Sequence, residues 1–218
     1  MAAELGTEDQ VSRPASRRSS PEVRRLILDA ARALFAERGF GGAGTRDIAE
    51  AAGVTQAAIF RHFGTKEGLF EAAVAEPFET CITTFLDRWE RHEPGSRSNP
   101  ELVRSFMRLF HATLQQNRAL FLAYFMAPTI TSARTGESVL SQQLDAIARR
   151  MQREADRRGF VAADIPVAVR CAAGIVLSIA LHGEVLFPPG PLRPDYDRML
   201  DEMVLFSLAG IERSAGQP

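Results

Sequence analysis

The sequence of 218 residues has few cysteines and no long apolar segment. Its two cysteines, Cys81 and Cys171, are too few for a disulfide framework and fit a reducing compartment. The first twenty residues contain no apolar run, and no later stretch reaches about 18 uncharged apolar residues. We therefore expect a cytoplasmic protein with neither a signal peptide nor a membrane span.

Motifs of catalysis and metal binding are also missing. The sequence contains no Gly-rich phosphate loop, no Cys-x-x-Cys and no His-Glu-x-x-His. His92, His111 and His182 are isolated from one another, as expected for ordinary core or surface histidines. We expect no catalytic residue, no metal and no cofactor.

Net charge is close to zero, but the charges are segregated along the chain. The formal net charge of −1 would ordinarily argue against binding to nucleic acid. Residues 1–10 carry a charge of −3, residues 11–66 carry +5 and residues 67–218 carry −3. Only one of the 26 basic residues is a lysine, Lys66, at the end of the positive segment.

The fold class predicted from the pattern is all-α, with about nine helices. Apolar residues recur at three- and four-residue spacing, whereas alternating strand patterns and Asn-Gly or Asp-Gly hairpin turns are absent. Residues 1–19 are polar and aperiodic, which is typical of a flexible arm. We predict a helix that starts at Ser20-Pro21-Glu22 and stops at Gly39, a helix that Thr65 caps and that enters Val74, and helices near 45–52, 55–63, 78–92, 100–116, 117–127, 137–158, 164–187 and 195–212.

Residues 45–63 have the pattern of a helix-turn-helix. Two short helices that cross at a three-residue turn need a small residue, a glycine in the turn and a branched apolar residue, and Ala49, Gly53 and Ile59 supply these. The flanking sequences ALFAERGF, TRDIAEAAGV and TQAAIFRHFGTKEGLF make the pattern more specific. Residues 21–75 thereby resemble the DNA-binding domain of TetR-type transcriptional regulators. The resemblance implies a DNA-binding domain at 20–75 and a helical ligand-binding and dimerisation domain at 76–218.

The resemblance also implies which residues contact DNA. Gln56 can pair bidentately with adenine, and the methyl group of Ala57 or Ala58 can meet a thymine methyl. His62 and Lys66 match phosphate contacts of the family, and Lys66 lies where the N-terminus of a helix favours an anion. The full set of DNA-binding candidates is Thr45, Arg46, Thr55, Gln56, Ala57, Ala58, Phe60, Arg61, His62 and Lys66.

One position departs from the family pattern, and several candidates have a structural alternative. Phe60 replaces the usual tyrosine, so a hydroxyl contact to phosphate is lost, and the adjacent Arg61 can compensate for it. Thr45, Thr55 and Thr65 are also helix-cap candidates, and Gln56 could be ordinary solvated surface. We expect the acidic Asp47 and Glu50 to face away from DNA.

The C-terminal residues are rich in aromatic side chains and methionine, which suit an adaptable apolar pocket for a small-molecule effector. We expect the segment 121–126 to be buried on nearly every side. An ordinary helical core is the alternative role for each residue. The pocket candidates are Phe85, Trp89, Phe106, Met107, Phe110, His111, Tyr124, Phe125, Met126 and Met151.

The last two helices resemble the pair that forms a four-helix dimer interface in the family, although they could instead close the core of the monomer. The interface candidates are Ala172, Ile175, Ile179, Leu186, Met199, Met203 and Phe206. A two-fold dimer would place two recognition helices about 34 Å apart and would require a palindromic operator.

The function predicted from these features is that of a ligand-responsive dimeric repressor, whose partners are double-stranded DNA, a small effector and a second copy of the chain. One alternative is a small all-α enzyme for a hydrophobic substrate, using His111 with Glu137 or Asp87. Another is a helix-turn-helix module that binds a protein.

Overall fold

The computed structural model describes residues 19–90, 99–127, 139–158 and 164–214. All regular secondary structure in these ranges is helical, which confirms the all-α prediction. The predicted arm, apart from Ser19, lies outside the described residues. The helices are α1 Ser20–Gly42, α2 Thr45–Ala52, α3 Gln56–Phe63, α4 Lys66–Glu90, α5 Asn99–Gln116, α6 Arg118–Met126, α7 Val139–Arg158, α8 Ile165–Leu186 and α9 Tyr196–Ser214.

Helix α1 differs from its prediction at both ends. Its N-cap is Ser19 and not Ser20, because the Ser19 hydroxyl accepts a hydrogen bond from the Glu22 N–H at 3.4 Å. At its other end, α1 continues to Gly42 across a kink at Gly39. Gly39 has a φ of 67°, which glycine adopts without the steric cost of a Cβ atom.

Helix α4 is a single helix through Pro77, so the prediction of two separate helices in this region is wrong. A proline inside a helix removes one backbone hydrogen bond and costs about 3 kcal/mol. Ala73, Val74 and Phe78 are buried on either side of the proline. Their burial offsets that cost and keeps the two halves of the helix in line. Consequently α4 passes without a break across the predicted domain boundary at 75/76.

The N-terminal helices join the rest of the protein through aromatic rings. Helix α1 packs against α2, α4 and α6. The ring of Phe70 on α4 lies 4.6 Å from Phe35 and 5.1 Å from Phe40, both on α1, and 5.9 Å from Tyr124 on α6, measured between centroids. The α1–α4 pair therefore contacts α6 through a continuous apolar cluster.

The remaining helices form a second layer. Helix α5 packs against α4, α8 and α9, and α7 packs against α4 and α8. Helix α8 is long and apolar enough, by length and composition alone, to cross a membrane. One of its faces is occupied within the protein, since Val169, Ala173, Val176 and Ala180 are buried in the core.

Candidate nucleic-acid interface

Helices α2 and α3 form the predicted helix-turn-helix. Ile48 and Ala49 on α2 and Ile59 on α3 are buried between the helices and their neighbours. Gly53 ends α2 with a φ of 62°, the left-handed conformation that the turn requires. The scaffold therefore has the form that the spacing of Ala49, Gly53 and Ile59 predicts.

Two neighbouring alanines of α3 lie on different sides of the helix. Ala57 is exposed, whereas Ala58 is only 7% exposed and packs in the core of the helix-turn-helix. The prediction that Ala58 contacts a thymine methyl is therefore wrong, because its methyl group is covered by protein. Of the two alanines, only Ala57 has a methyl group exposed for contact with a thymine methyl.

Gln56 and Thr45 are joined by a hydrogen bond across the two helices. The Gln56 Nε2 donates to Thr45 Oγ1 at 2.7 Å. Thr45 is not a helix cap, because the N-cap of α2 is Gly44. The bond leaves the Gln56 Oε1 and its second amide N–H free. These are the acceptor and the donor that bidentate pairing with adenine uses.

Two other threonines do cap helices. Thr55 Oγ1 accepts a hydrogen bond from the Ala58 N–H at 3.3 Å, and Thr65 Oγ1 accepts one from the Gly68 N–H at 3.0 Å. Each bond satisfies one of the free N–H groups of a helix start. The structural role foreseen for Thr55 and Thr65 is thereby confirmed.

Lys66 is the first residue of α4, beside the positive end of that helix. Its ammonium lies 4.6 Å from the centre of the Phe40 ring, a cation–π distance that orients the side chain. The neighbouring His62 is half-buried, and its Nε2 is buried without a hydrogen-bond partner among the described residues. That nitrogen is not open to a phosphate in this conformation.

The outer face of the helix-turn-helix is basic. Arg46 and Arg61 are exposed, and neither forms an ion pair with any residue that the structure describes. Asp47 is instead paired with Arg38 at 3.4 Å, as expected for an acid that avoids DNA. Phe60 is exposed beside Arg61, so its ring is available to pack on a sugar.

Gly68 lies so close to the backbone of α3 that a side chain at this position would clash with it. A Cβ atom at this position would lie 2.4 Å from the Phe63 carbonyl oxygen, which belongs to the backbone of α3. We expect Gly68→Ala to displace the α3–α4 turn and to lower the free energy of unfolding by about 1–3 kcal/mol. Thermal denaturation of this variant measures the effect. The matched control is Gly174→Ala, where a Cβ meets no atom within 4 Å. Equal melting temperatures for the two variants would contradict the expectation.

The predicted pocket residues divide into a core group and a surface group. Phe85, Phe106, Met107, Phe110 and Tyr124 are buried. The Phe106 ring lies 5.2 Å from Phe85 and 5.5 Å from Phe110, so these side chains fill space by stacking on one another. Met151 is half-buried against this core, and the side chain of Trp89 lies outside the described residues.

Helix α6 is not buried on nearly every side, contrary to the prediction. Leu120, Phe121 and Tyr124 face the core, whereas Phe125 and Met126 are exposed, Met126 by 81%. The neighbours of α6 are α1, α4, α5 and α8, which leave its C-terminal end uncovered. An apolar sequence by itself does not reveal which face has a partner.

Two cavities lie along α8 and α9. A cleft of about 730 Å³ contains His111, the one pocket candidate that lines either cavity. A groove of about 590 Å³ is lined by residues of α8 and α9. The interface candidates that line this groove are Ile175, Ile179, Met199, Met203 and Phe206.

The other interface candidates lie outside the groove, and the groove has walls that sequence reasoning missed. Ala172 is half-buried and Leu186 is exposed on α8. Phe187 and Leu192, in the loop before α9, also line the groove. The apolar character of Leu192 in a Pro- and Gly-rich loop, where it is 94% exposed, is the signal that could have identified it.

Residues 27–73 match the sequence family described as "Bacterial regulatory proteins, tetR family". This segment, which contains α2 and α3, is therefore similar to the members of that family. The chain is 51% identical over 53 residues to the HTH-type transcriptional repressor AcnR of Corynebacterium glutamicum, a match that covers 24% of this chain and 28% of AcnR. It is 28% identical over 150 residues to the HTH-type transcriptional regulator UidR of Escherichia coli, covering 67% of this chain and 73% of UidR.

Solved structures show the same fold. The fatty acid degradation regulator FadR from Bacillus halodurans superimposes with a TM-score of 0.66 at 18% identity, over 88% of this chain and 97% of FadR. A TetR-like transcriptional regulator from Rhodococcus gives a TM-score of 0.58 over 92% of this chain and 100% of its own. The sequence relatives named above are transcriptional regulators or repressors. These names favour a regulator over the enzyme alternative, and Glu137, one of the candidate residues of that alternative, lies outside the described residues.

Proposed function

We propose that the chain is a cytoplasmic, homodimeric repressor that binds a palindromic operator and leaves it when a small molecule binds. The observation that carries the proposal is the exposed face of α2 and α3. There the amide of Gln56 is held in place by Thr45, and the guanidinium groups of Arg46 and Arg61 on the same two helices are exposed and form no ion pair with any described residue. A positioned amide can distinguish bases, and the basic groups can hold the phosphates beside them.

Charge supports DNA as the partner. Arg46 lies on α2, Arg61 lies on α3 and Lys66 begins α4, and the acid next to Arg46, Asp47, is paired with Arg38. Each phosphate that a basic group neutralises releases counterions, so operator affinity should fall steeply with salt. The protein-binding alternative offers no role for unpaired guanidinium groups beside a positioned amide.

The groove between α8 and α9 supports the dimer. Its walls are mainly apolar, and Phe206 at its edge is 74% exposed in the protomer. Exposed apolar surface of this extent marks a contact with another macromolecule, and a second copy related by a two-fold axis would cover both grooves at once. The same axis would present two α3 helices to successive major grooves.

The contacts of α1 and α4 with α6 support release by a small molecule. Helices α1 and α4 carry the helix-turn-helix and also contact α6. A molecule that binds more tightly to an arrangement with wrongly spaced α3 helices shifts the protein toward that arrangement. The shift is limited to its difference in affinity for the two states.

Two substitutions in the interface test the proposal. We expect Lys66→Ala to weaken binding to all DNA sequences to a similar degree, and to lower the slope of log affinity against log salt by about 1. We expect Gln56→Ala to lose about 1–3 kcal/mol of discrimination at one base pair while the salt slope stays unchanged. Fluorescence anisotropy at four salt concentrations, with the DNA upstream of the chain's own gene and single-base variants of it, measures both quantities.

The control is Arg149→Ala, which removes an exposed positive charge on α7, far from α3 in sequence. It should leave both the slope and the base ranking unchanged. Parental affinity for the Lys66 variant would refute the phosphate contact, and an unaltered base ranking for the Gln56 variant would refute the base contact. If the parent protein bound the upstream DNA no better than unrelated DNA, the repressor proposal itself would fail.

A further inference from the structure

The cleft of about 730 Å³ is lined by polar groups from separate parts of the chain. His111 and Gln115 come from α5, Arg118 from the start of α6, Glu184 from the end of α8, and Arg193 from the loop before α9. This volume is within the range of small-molecule sites, about 300–1,000 Å³. The cleft is separate from the buried aromatic cluster of Phe85, Phe106 and Phe110 and has an opening to solvent.

The walls of the cleft are held rigidly. Gln115 Nε2 donates to the Ala180 carbonyl at 3.0 Å, and an Arg118 guanidinium N–H donates to the Leu181 carbonyl at 2.9 Å. Both bonds tie the α5–α6 junction to α8. Because a guanidinium has five N–H donors, Arg118 retains donors for a bound molecule.

Arg193 supplies the second cation. Its backbone N–H closes a turn on the Gly190 carbonyl at 3.1 Å, which fixes where the side chain starts. Its guanidinium is exposed and forms no ion pair with any residue that the structure describes. Two arginines that converge on one cleft, each with free donors, provide a fork for a carboxylate.

The cleft also contains two acidic residues, Asp195 and Glu184. Asp195 uses its carboxylate to cap α9, since it accepts a hydrogen bond from the Arg198 N–H at 2.8 Å. Asp197, just beyond the cleft, is paired with Arg108 at 2.8 Å. Glu184 is exposed and forms no ion pair with any residue that the structure describes.

A pair of rings forms the apolar part of the wall. The His111 ring lies 4.6 Å from the Tyr196 ring, with an angle of 36° between their planes. Burial lowers the pKa of His111 and raises the pKa of Tyr196, so both rings are uncharged at neutral pH. Together with Ile179 and Met199, they offer apolar side chains against which an aromatic ring can pack.

From this arrangement we propose that the cleft binds a small aromatic carboxylic acid, with its carboxylate on Arg118 and Arg193 and its ring on His111 and Tyr196. The regulatory part of this inference rests on the proposed dimeric repressor. Ile179, Pro194 and Met199 line both the cleft and the groove between α8 and α9. A molecule in the cleft therefore contacts side chains that also form the proposed dimer surface, and occupancy changes operator affinity.

Isothermal titration calorimetry of the full-length protein without DNA tests the site, with 2-naphthoate as the probe and its neutral amide as the comparison. We expect saturable binding of 2-naphthoate and at least about tenfold weaker binding of 2-naphthamide. Arg193→Gln should weaken 2-naphthoate binding at least about tenfold through the lost charged hydrogen bonds. Glu184→Gln should strengthen it, because it removes the opposing charge.

Arg149→Gln, which removes an exposed charge on α7, is the control and should bind 2-naphthoate like the parent. Arg193 and Glu184 are both exposed, so neither substitution should impair folding, and circular dichroism checks this. Absence of binding, or equal binding by the parent and the Arg193 variant, overturns the proposed site.

Operator binding measured with and without saturating 2-naphthoate tests the regulatory part. A changed operator affinity in the parent that is lost in Arg193→Gln supports it, and an unchanged affinity overturns it. Failure of the parent to bind its upstream DNA is a separate result. It would refute the repressor proposal, whereas the calorimetric result would still decide the site.

Discussion

Replacing Phe206 by glutamate is expected to convert the proposed dimer into a folded monomer. Phe206 is 74% exposed in the protomer and lines the apolar groove between α8 and α9. Because the ring is mostly outside the protomer's core, the substitution should lower the stability of the protomer only slightly. In a two-fold dimer every substitution occurs twice, and two carboxylates would be buried in a mainly apolar contact. Each buried charge without a partner costs about 3–5 kcal/mol, so one of the two carboxylates alone raises the dissociation constant by roughly two to four orders of magnitude.

Sedimentation velocity at micromolar protein concentration measures the change in mass. The matched control is Met126→Glu, which also places a charge at a strongly exposed apolar position but on α6, outside the lining of the groove between α8 and α9. The control should sediment like the parent. A Phe206 variant that stays folded and sediments like the parent would show that α8 and α9 do not form the dimer contact.

Loss of the dimer should also lower the affinity for DNA. A dimer binds two half-sites, and the second contact forms within the same complex. Avidity of this kind raises affinity by about 10²–10⁴-fold. The Phe206 variant should therefore bind the operator weakly, although Gln56, Arg46 and Arg61 are unchanged.

The helix-turn-helix could be predicted from sequence because each of its requirements is local. Gly53 must adopt a positive φ, Ala49 must be small, and Thr55 must cap the next helix, and all three conditions are met within a few residues of chain. Such short-range constraints make a motif recognisable. The position of the single lysine at the start of α4 follows from the same local pattern.

Features that depend on distant partners could not be predicted in this way. Ala57 and Ala58 have identical side chains, and only the packing of α3 shows that Ala58 is covered. Pro77 is a local helix breaker, yet the burial of Phe78 and its neighbours keeps α4 continuous. The cleft at Arg193 joins residues that lie more than 70 positions apart, such as His111 and Glu184, so no local spacing indicates it.

Phe70→Ala is expected to lower both the stability of the protein and its affinity for DNA. The ring is 1% exposed and contacts Phe35 and Phe40 on α1 and Tyr124 on α6. Removing a buried phenylalanine costs about 3–5 kcal/mol, because apolar contacts are lost and a cavity remains. For a chain of this length that corresponds to a melting temperature lowered by roughly 6–20 °C. Differential scanning fluorimetry measures it, with Phe70→Leu as the control that retains most of the apolar volume.

The position of Phe70 gives the substitution a second effect. Phe40, one of its ring partners, also carries the Lys66 ammonium on its face at 4.6 Å, while Tyr124 belongs to α6 in the next layer. The ring cluster therefore lies between the proposed phosphate contact and the remainder of the protein. At a temperature where Phe70→Ala is still folded, we expect weaker operator binding together with a smaller response to any effector. A Phe70→Ala protein that matched the parent in melting temperature and in operator affinity would show that this cluster neither stabilises the fold nor couples its two layers.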